Sequence, residues 1–201
     1  MTSRARRTSR GARRIAAAAA SVVVLVLTGC SSGSDGASST STTVAVASQE
    51  PVSGGSELVA PKGFTAVTLI VTRTDGTTEE LCLWLADTGA LRAKGLMGVT
   101  DPALGGADGM LFTFGDDTSG AFWMRGTPLP LSIAWYAGDG AFVDSTDMDP
   151  CPDDTADAAC PRFGPASPYR YAVETASGAL ADLGLVEGST VQLGDACSLD
   201  A

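Results

Sequence analysis

The 201-residue chain contains no histidine. That excludes Ser-His-Asp and Cys-His nucleophilic machinery, and it leaves a zinc site without its usual nitrogen ligand. Basic residues are few, 13 Lys and Arg against 23 Asp and Glu. Six of the arginines crowd into residues 1–14, "MTSRARRTSRGARR", where there is no acid. The remainder carries seven basic residues and all 23 acidic ones, a net charge of −16. Such a surface repels nucleic acid and anionic lipid headgroups. There is no phosphate-cradling loop: "DGMLFTFGDD" lacks the Lys-Ser/Thr end that such a loop needs. No cofactor is expected. The apolar run "IAAAAASVVVLVLTG" (15–29) falls short of the roughly 20 residues a spanning helix needs, and it has the length of a signal-peptide core.

That run ends in Leu27-Thr28-Gly29-Cys30, an order that resembles the bacterial lipobox. The resemblance implies that Cys30 becomes the first mature residue and is diacylated on sulfur. Basic start, apolar core and terminal Cys predict a lipoprotein signal peptide over 1–29, exported by the general secretory route. Two or more acyl chains hold a protein stably on a bilayer, whereas one does so only marginally. The expected location is the extracytoplasmic side of a bacterial cell membrane, with the lipid bilayer as partner through the N-terminus. Residues 30–57, mostly Ser, Thr, Gly and Ala after the Cys, bury too little apolar surface to order themselves and read as a flexible tether. A single β-rich domain is expected over 58–196, with a short tail at 197–201.

Four further cysteines, Cys82, Cys151, Cys160 and Cys197, make an even number in an oxidising compartment and allow three pairings. Cys151 with Cys160 would close a short loop. Cys82 with Cys197 would tie an early strand to the C-terminus, which the chain-entropy argument favours more. The spacing C-x8-C is not that of a redox C-x-x-C pair. Structural disulfides are therefore expected.

The domain reads as mostly strand. "TAVTLIVTRTDGTTEELCLWLADT" (65–88) is two β-rich runs about Asp75-Gly76, a strong hairpin signal. Asp87 or Thr88 caps a short helix in "GALRAKGLM", ending near Gly95. "GMLFTF" (109–114) and "AFWM" (121–124) read as short buried strands joined by a polar "GDDTSG". In "LPLSIAWYA", Leu129, Leu131, Ile133 and Trp135 share one face. A three-residue loop over Gly138-Asp139-Gly140 sets Trp135 opposite Val143, keeping apolar with apolar. "YRYAVET" and "STVQL" are strands, with a second short helix in "ASGALADLGL". The fold class is mainly β, bordering on α+β: a compact antiparallel β-sandwich or partly closed barrel with two short helices.

The order "LADTGALRAKGLMG", "DGMLFTF", "FWMRGTPLPLSIAWY", "MDPC…CPRFGPASPYRYAVE" and "GLVEGSTVQL" resembles the bacterial and archaeal family called domain of unknown function 192, or uncharacterised protein family 0127. The resemblance spans about 64–194. It implies a compact, mainly β fold, often exported, and no established activity. The family's usual run reads like F-W-M-K-N-T-x-I-P-L-D. Here Arg125 stands for the Lys, Gly126 for the Asn and Ser132 for the Asp, so a shared shape is favoured over a shared catalytic mechanism.

The segment around Trp123 offers two readings. Phe122, Trp123 and Met124 serve as core, with Thr127-Pro128 making a corner. Alternatively, Trp123 is the flat wall of a ligand pocket, with Met124 and Thr127 beside it and Arg125 as a fork for an anionic group. Arg92 and Lys94 on the first helix would add positive charge at such a mouth. The acidic loop at 144–160 has Asp144, Asp147, Asp149, Asp153, Asp154 and Asp157, but it lacks the Gly and closing Glu of a calcium loop, so no metal is expected. The function expected is a non-catalytic binding or interaction module for a small molecule, glycan or envelope protein. The alternatives are a carboxylate-based hydrolase of envelope polymers, using a pair among Asp87, Asp108 and Asp144, and a purely structural envelope partner.

Overall fold

Strand β1 (Thr65–Thr72) and strand β2 (Thr78–Ala86) pair antiparallel, Thr72 opposite Thr78. Gly76 makes the expected turn with φ +84°, and its N–H donates to the Arg73 carbonyl. Every second residue of β1 is buried, Val67, Leu69 and Val71, the period that a sheet with one core face demands. Helix α1 (Gly89–Lys94) begins at Thr88, whose Oγ1 accepts from the Leu91 N–H at 3.2 Å. Of the two caps foreseen, Thr88 is the one used. The computed structural model describes residues 59–199. The signal over 1–29, the lipidation site Cys30, the tether to 57 and the last two residues lie outside the described residues.

After α1 the chain returns as β3 (Gly109–Thr118), which pairs parallel to β2, Leu83 opposite Gly109. Strands β4 (Leu131–Tyr136), β5 (Phe142–Met148), β6 (Tyr169–Ala176) and β7 (Thr190–Ala196) complete one seven-stranded sheet ordered β5-β4-β6-β3-β2-β1-β7. The mainly β expectation holds. The sheet is mixed rather than wholly antiparallel, because α1 and the turns after it form a crossover that delivers β3 alongside β2 in the same direction. It is also not a closed barrel. Its edges touch through one isolated bridge, Ala141 with Thr190, where Gly140 lies against the backbone of Val191.

One face of the sheet packs Val67, Leu69, Leu83, Leu111, Tyr136 and Val173 around Leu185. The other packs Trp84, Met110, Phe112, Ile133, Trp135 and Tyr169. All six residues of β4 are buried, which places this strand between the two clusters. Leu129, Leu131, Ile133 and Trp135 do belong to one cluster, and Pro130 stands just ahead of β4, where a missing N–H costs no ladder bond.

Four local expectations change. The three-residue loop over 138–140 forms, with the Ala137 N–H donating to the Ala141 carbonyl, yet Trp135 pairs with Asp144. A bulge takes up Val143, which packs against the Trp135 cluster without being its ladder partner. The second helix is absent. Residues 177–184 are successive turns, interrupted by Gly178 and Gly184 at φ +81° and +71°, and they lower Leu180, Leu183 and Leu185 onto the sheet. "AFWM" is not a strand. Within it only Phe122 makes a bridge, to Phe163, and Arg125 just beyond makes one to Cys151, because the partners come from the cysteine loop and its exit rather than from the sheet. "GDDT", foreseen as loop, continues β3 with a register shift between Thr113 and Thr118.

The cysteines pair as Cys82–Cys197 and Cys151–Cys160, with Cα separations of 6.0 and 5.7 Å. They close loops of 115 and 9 residues in sequence separation, which the chain-entropy relation values at about 5 and about 2.7 kcal/mol.

Candidate functional site

A cavity of about 280 Å³ opens between the end of α1, strand β3, the loop 120–127 and strand β6. Phe112 and Phe114 leave β3 on one side, Phe122 and Trp123 come from the loop, and Tyr169 begins β6. The rings touch edge to face: Phe112 and Phe122 have centroids 5.0 Å apart, Phe114 and Tyr169 5.4 Å. Tyr169 is held by a bond from its hydroxyl to the Gly120 carbonyl at 2.8 Å, and burial pushes its phenol up to about 12.

The chemistry at the bottom of the cavity comes from Glu174. On β6, Val173 faces one core cluster, so Glu174 faces the other, opposite Met110 of β3 and Ile133 of β4. It is 5 % exposed and lines the cavity. Burial alone raises its carboxyl to about 8, with no hydrogen bond or charge among the causes. The group is therefore largely a neutral acid at pH 7, and it faces the cavity rather than being sealed in the core. Trp135 supplies a polar group of another kind, enclosed in the core. Its Nε1–H is buried and unpartnered among the described residues. Trp135 stands opposite Ala172, two residues from Glu174 along β6 and on the same face.

Two cations stand on the cavity lining. Arg92 Nη1 donates to the carbonyls of Asp87 at 2.6 Å and Thr113 at 2.7 Å, with its guanidinium 4.8 Å from the Phe114 centroid. Lys94 Nζ donates to the Lys62 carbonyl at 2.5 Å and lies 5.1 Å from the Phe64 centroid. Both are thus fixed by backbone oxygens rather than paired with carboxylates.

The cavity brings together Trp123, Thr127 and Arg92 of the residues singled out from the sequence, with Lys94. It does not bring in the other two. Met124 is 1 % exposed and belongs to the core. Arg125 turns away into the acidic loop, where it donates to Thr155 O at 2.7 Å and Asp153 O at 3.3 Å and pairs with Asp157 at 3.2 Å. Its fork binds this chain's own carbonyls. Trp123 meets a different arginine, Arg162, whose guanidinium lies 3.9 Å from the ring centroid. Glu174 is not marked in the sequence: in "YRYAVET" it alternates with Arg170 and Ala172, the phase opposite Tyr169, Tyr171 and Val173, which reads as a solvent face.

The carboxylates weighed for hydrolysis are not brought together. Asp108 accepts the Cys82 N–H at 2.8 Å beside β2. Asp144 lies on β5, three strand positions from β3, roughly 14 Å across the sheet. Among the described residues no three His, Cys, Asp or Glu side chains gather as a metal-ligand set. The positions that depart from the usual run have structural uses here. Gly126 adopts φ +66°, a conformation in which Asn is among the best-tolerated side chains after Gly. Ser132 Oγ bonds Asp147 at 2.5 Å and accepts the Gly178 N–H at 2.8 Å, linking β4 to its edge strand and to the turns after β6.

The family model DUF192, described as an uncharacterized ACR, matches residues 70–193. A crystal structure of a candidate transcription regulator from Sinorhizobium meliloti 1021 is similar at 26 % identity and a TM-score of 0.55, covering 67 % of this chain and 96 % of that one. A protein of unknown function from Novosphingobium aromaticivorans DSM 12444 is similar at 31 % identity and a TM-score of 0.54, covering 68 % and 94 %. No curated protein matches the chain.

Proposed function

This chain belongs to the uncharacterised DUF192 family, and on that premise we propose that it is a lipid-anchored extracytoplasmic protein whose folded part binds a small molecule, without catalysis, in the aromatic cavity ending at Glu174. One observation carries the binding reading: a nearly buried carboxyl, with no charge or hydrogen-bond partner among the described residues, lines an open cavity walled by five aromatic rings. A fold keeps such a group at a cost, and a ligand donor offsets that cost when it binds. The absence of a second carboxyl from the lining argues against glycoside cleavage there, which needs two. The anchoring reading is supported by Leu27-Thr28-Gly29-Cys30 after the apolar run, and by two disulfides, which persist in oxidising compartments.

Ligand-observed NMR with a fragment library, repeated on Trp123→Ala and Phe122→Ala, tests the binding reading. Fragments are expected to bind the parent and to be released in both variants. A library whose binders are all retained by both variants sinks it. Labelled palmitate should enter the parent in a bacterial host and fail to enter Cys30→Ser; equal labelling of the two removes the anchor.

A further inference from the structure

We infer that the cavity takes a small zwitterion, its ammonium group at Glu174 and its anionic group at the rim formed by Arg92 and Lys94. The inference rests on the cavity being a binding site and adds the class of ligand.

Three charged side chains line the cavity, one carboxyl and two cations. Among the described residues, the elements packed around Glu174 bring it no counter-charge. Its ladder partners are Met110 and Ile133, both fully buried. Trp135 brings an N–H, Phe112 and Tyr169 bring rings, and the loop 120–127 contributes no charged side chain to the lining. The cations come from α1 alone and are bound to backbone oxygens. A ligand carrying only an ammonium would satisfy Glu174 and be repelled at the rim. A ligand carrying only an anion would be held at the rim and leave Glu174 unpaired. Opposite charges on one molecule answer both ends. Phe112, Phe122 and Tyr169 line the same cavity as the carboxyl, and aromatic rings attract a cation; about 280 Å³ admits only a small molecule.

Binding of this kind moves a proton. Glu174 enters as the neutral acid below about 8 and must ionise to pair with an ammonium. One proton is released per ligand bound, and affinity rises with pH up to that value.

The test is calorimetric titration of the full chain at pH 7 with 4-aminobutanoate and 6-aminohexanoate, against hexylamine and 6-hydroxyhexanoate. The better amino acid is expected to bind at least about ten-fold tighter than either single-charge analogue. Its heat should differ between phosphate and Tris buffers as release of one proton requires. Glu174→Gln should lower that affinity at least about ten-fold and abolish the buffer dependence. Lys94→Met, on the exposed rim, should erase the preference for the amino acid over hexylamine; it serves if the buried variant fails to fold. Hexylamine or 6-hydroxyhexanoate binding as tightly as the amino acids overturns the zwitterion while leaving the cavity as a binding site. If none of the four binds, the zwitterion is overturned; the fragment screen then decides the cavity separately.

Discussion

The guanidinium of Arg162 covers the ring of Trp123, 3.9 Å from its centroid. Trp123 belongs to the loop between β3 and β4, and Arg162 stands two residues beyond Cys160. Beside this contact, Phe122 and Phe163 exchange backbone hydrogen bonds of 2.7 and 2.9 Å. The disulfide loop therefore fixes the outer wall of the cavity. Arg162→Ala should shift Trp123 emission to longer wavelength by exposing the ring. It should cost no more than about 1 kcal/mol, since an exposed cation–π contact is worth about 0.5–1. Emission spectra and urea midpoints check both halves.

Glu174 gives stability a pH dependence of definite sign. Its folded value, about 8, lies above its ordinary 4.5. The stability it contributes is fully present below the unfolded value and is lost as pH rises through the folded one. Stability should thus fall between about pH 4.5 and 8, by on the order of 4–5 kcal/mol. Glu174→Gln should flatten the profile and be more stable than the parent at pH 9. Urea melts across that range decide; a parent profile no steeper than that of the variant contradicts the assignment.

Arg125 acts as a clamp on the acidic loop. Arg125→Ala leaves the carbonyls of Asp153 and Thr155 without their donor and Asp157 without its partner. A cost of about 0.5–1.5 kcal/mol is expected, since water can replace the lost donor at these exposed partners. Amide hydrogen exchange should quicken at 152–159 and stay unchanged in β3 and β6.

Gly140 and Gly76 share φ +84° but differ in surroundings. A Cβ on Gly76 meets open space, and on Gly140 it would lie 2.1 Å from the Val191 carbonyl oxygen. Gly76→Ala should cost about 1 kcal/mol from backbone strain alone. Gly140→Ala should cost at least about 2 kcal/mol more, because the sheet edges must part. Equal midpoints for the two variants would refute the close approach.

What the sequence made legible was periodic or local. The hairpin at Asp75-Gly76, the cap at Thr88 and the face shared by Leu129, Leu131, Ile133 and Trp135 follow from turn chemistry and period two, and each is present. The register of Trp135 was not legible. A bulge at Val143 satisfies the same burial that a straight ladder would, and pattern alone does not separate the two. The turns over 177–184 carry helix-like leucines, but two glycines at positive φ and the sheet beneath decide their shape. In the candidate site, Trp123, Thr127 and Arg92 were found because aromatic and cationic residues draw notice in an acidic chain. Arg125 drew the same notice for a structural duty, since a side chain's direction depends on which loop crosses it. Glu174 was missed because its neighbours in space, Met110 and Ile133, are 64 and 41 positions away, a distance no local pattern spans.

The open edge of the sheet has a consequence for crowding. Among the described residues, strand β5 leaves one side of its backbone unpaired apart from the touch at Ala141, and along it Asp144, Ser145, Thr146 and Asp147 face water. A second copy approaching to extend the sheet would set aspartates against aspartates at about 5 Å. Neighbouring molecules are thereby kept from zipping together, whatever their local density.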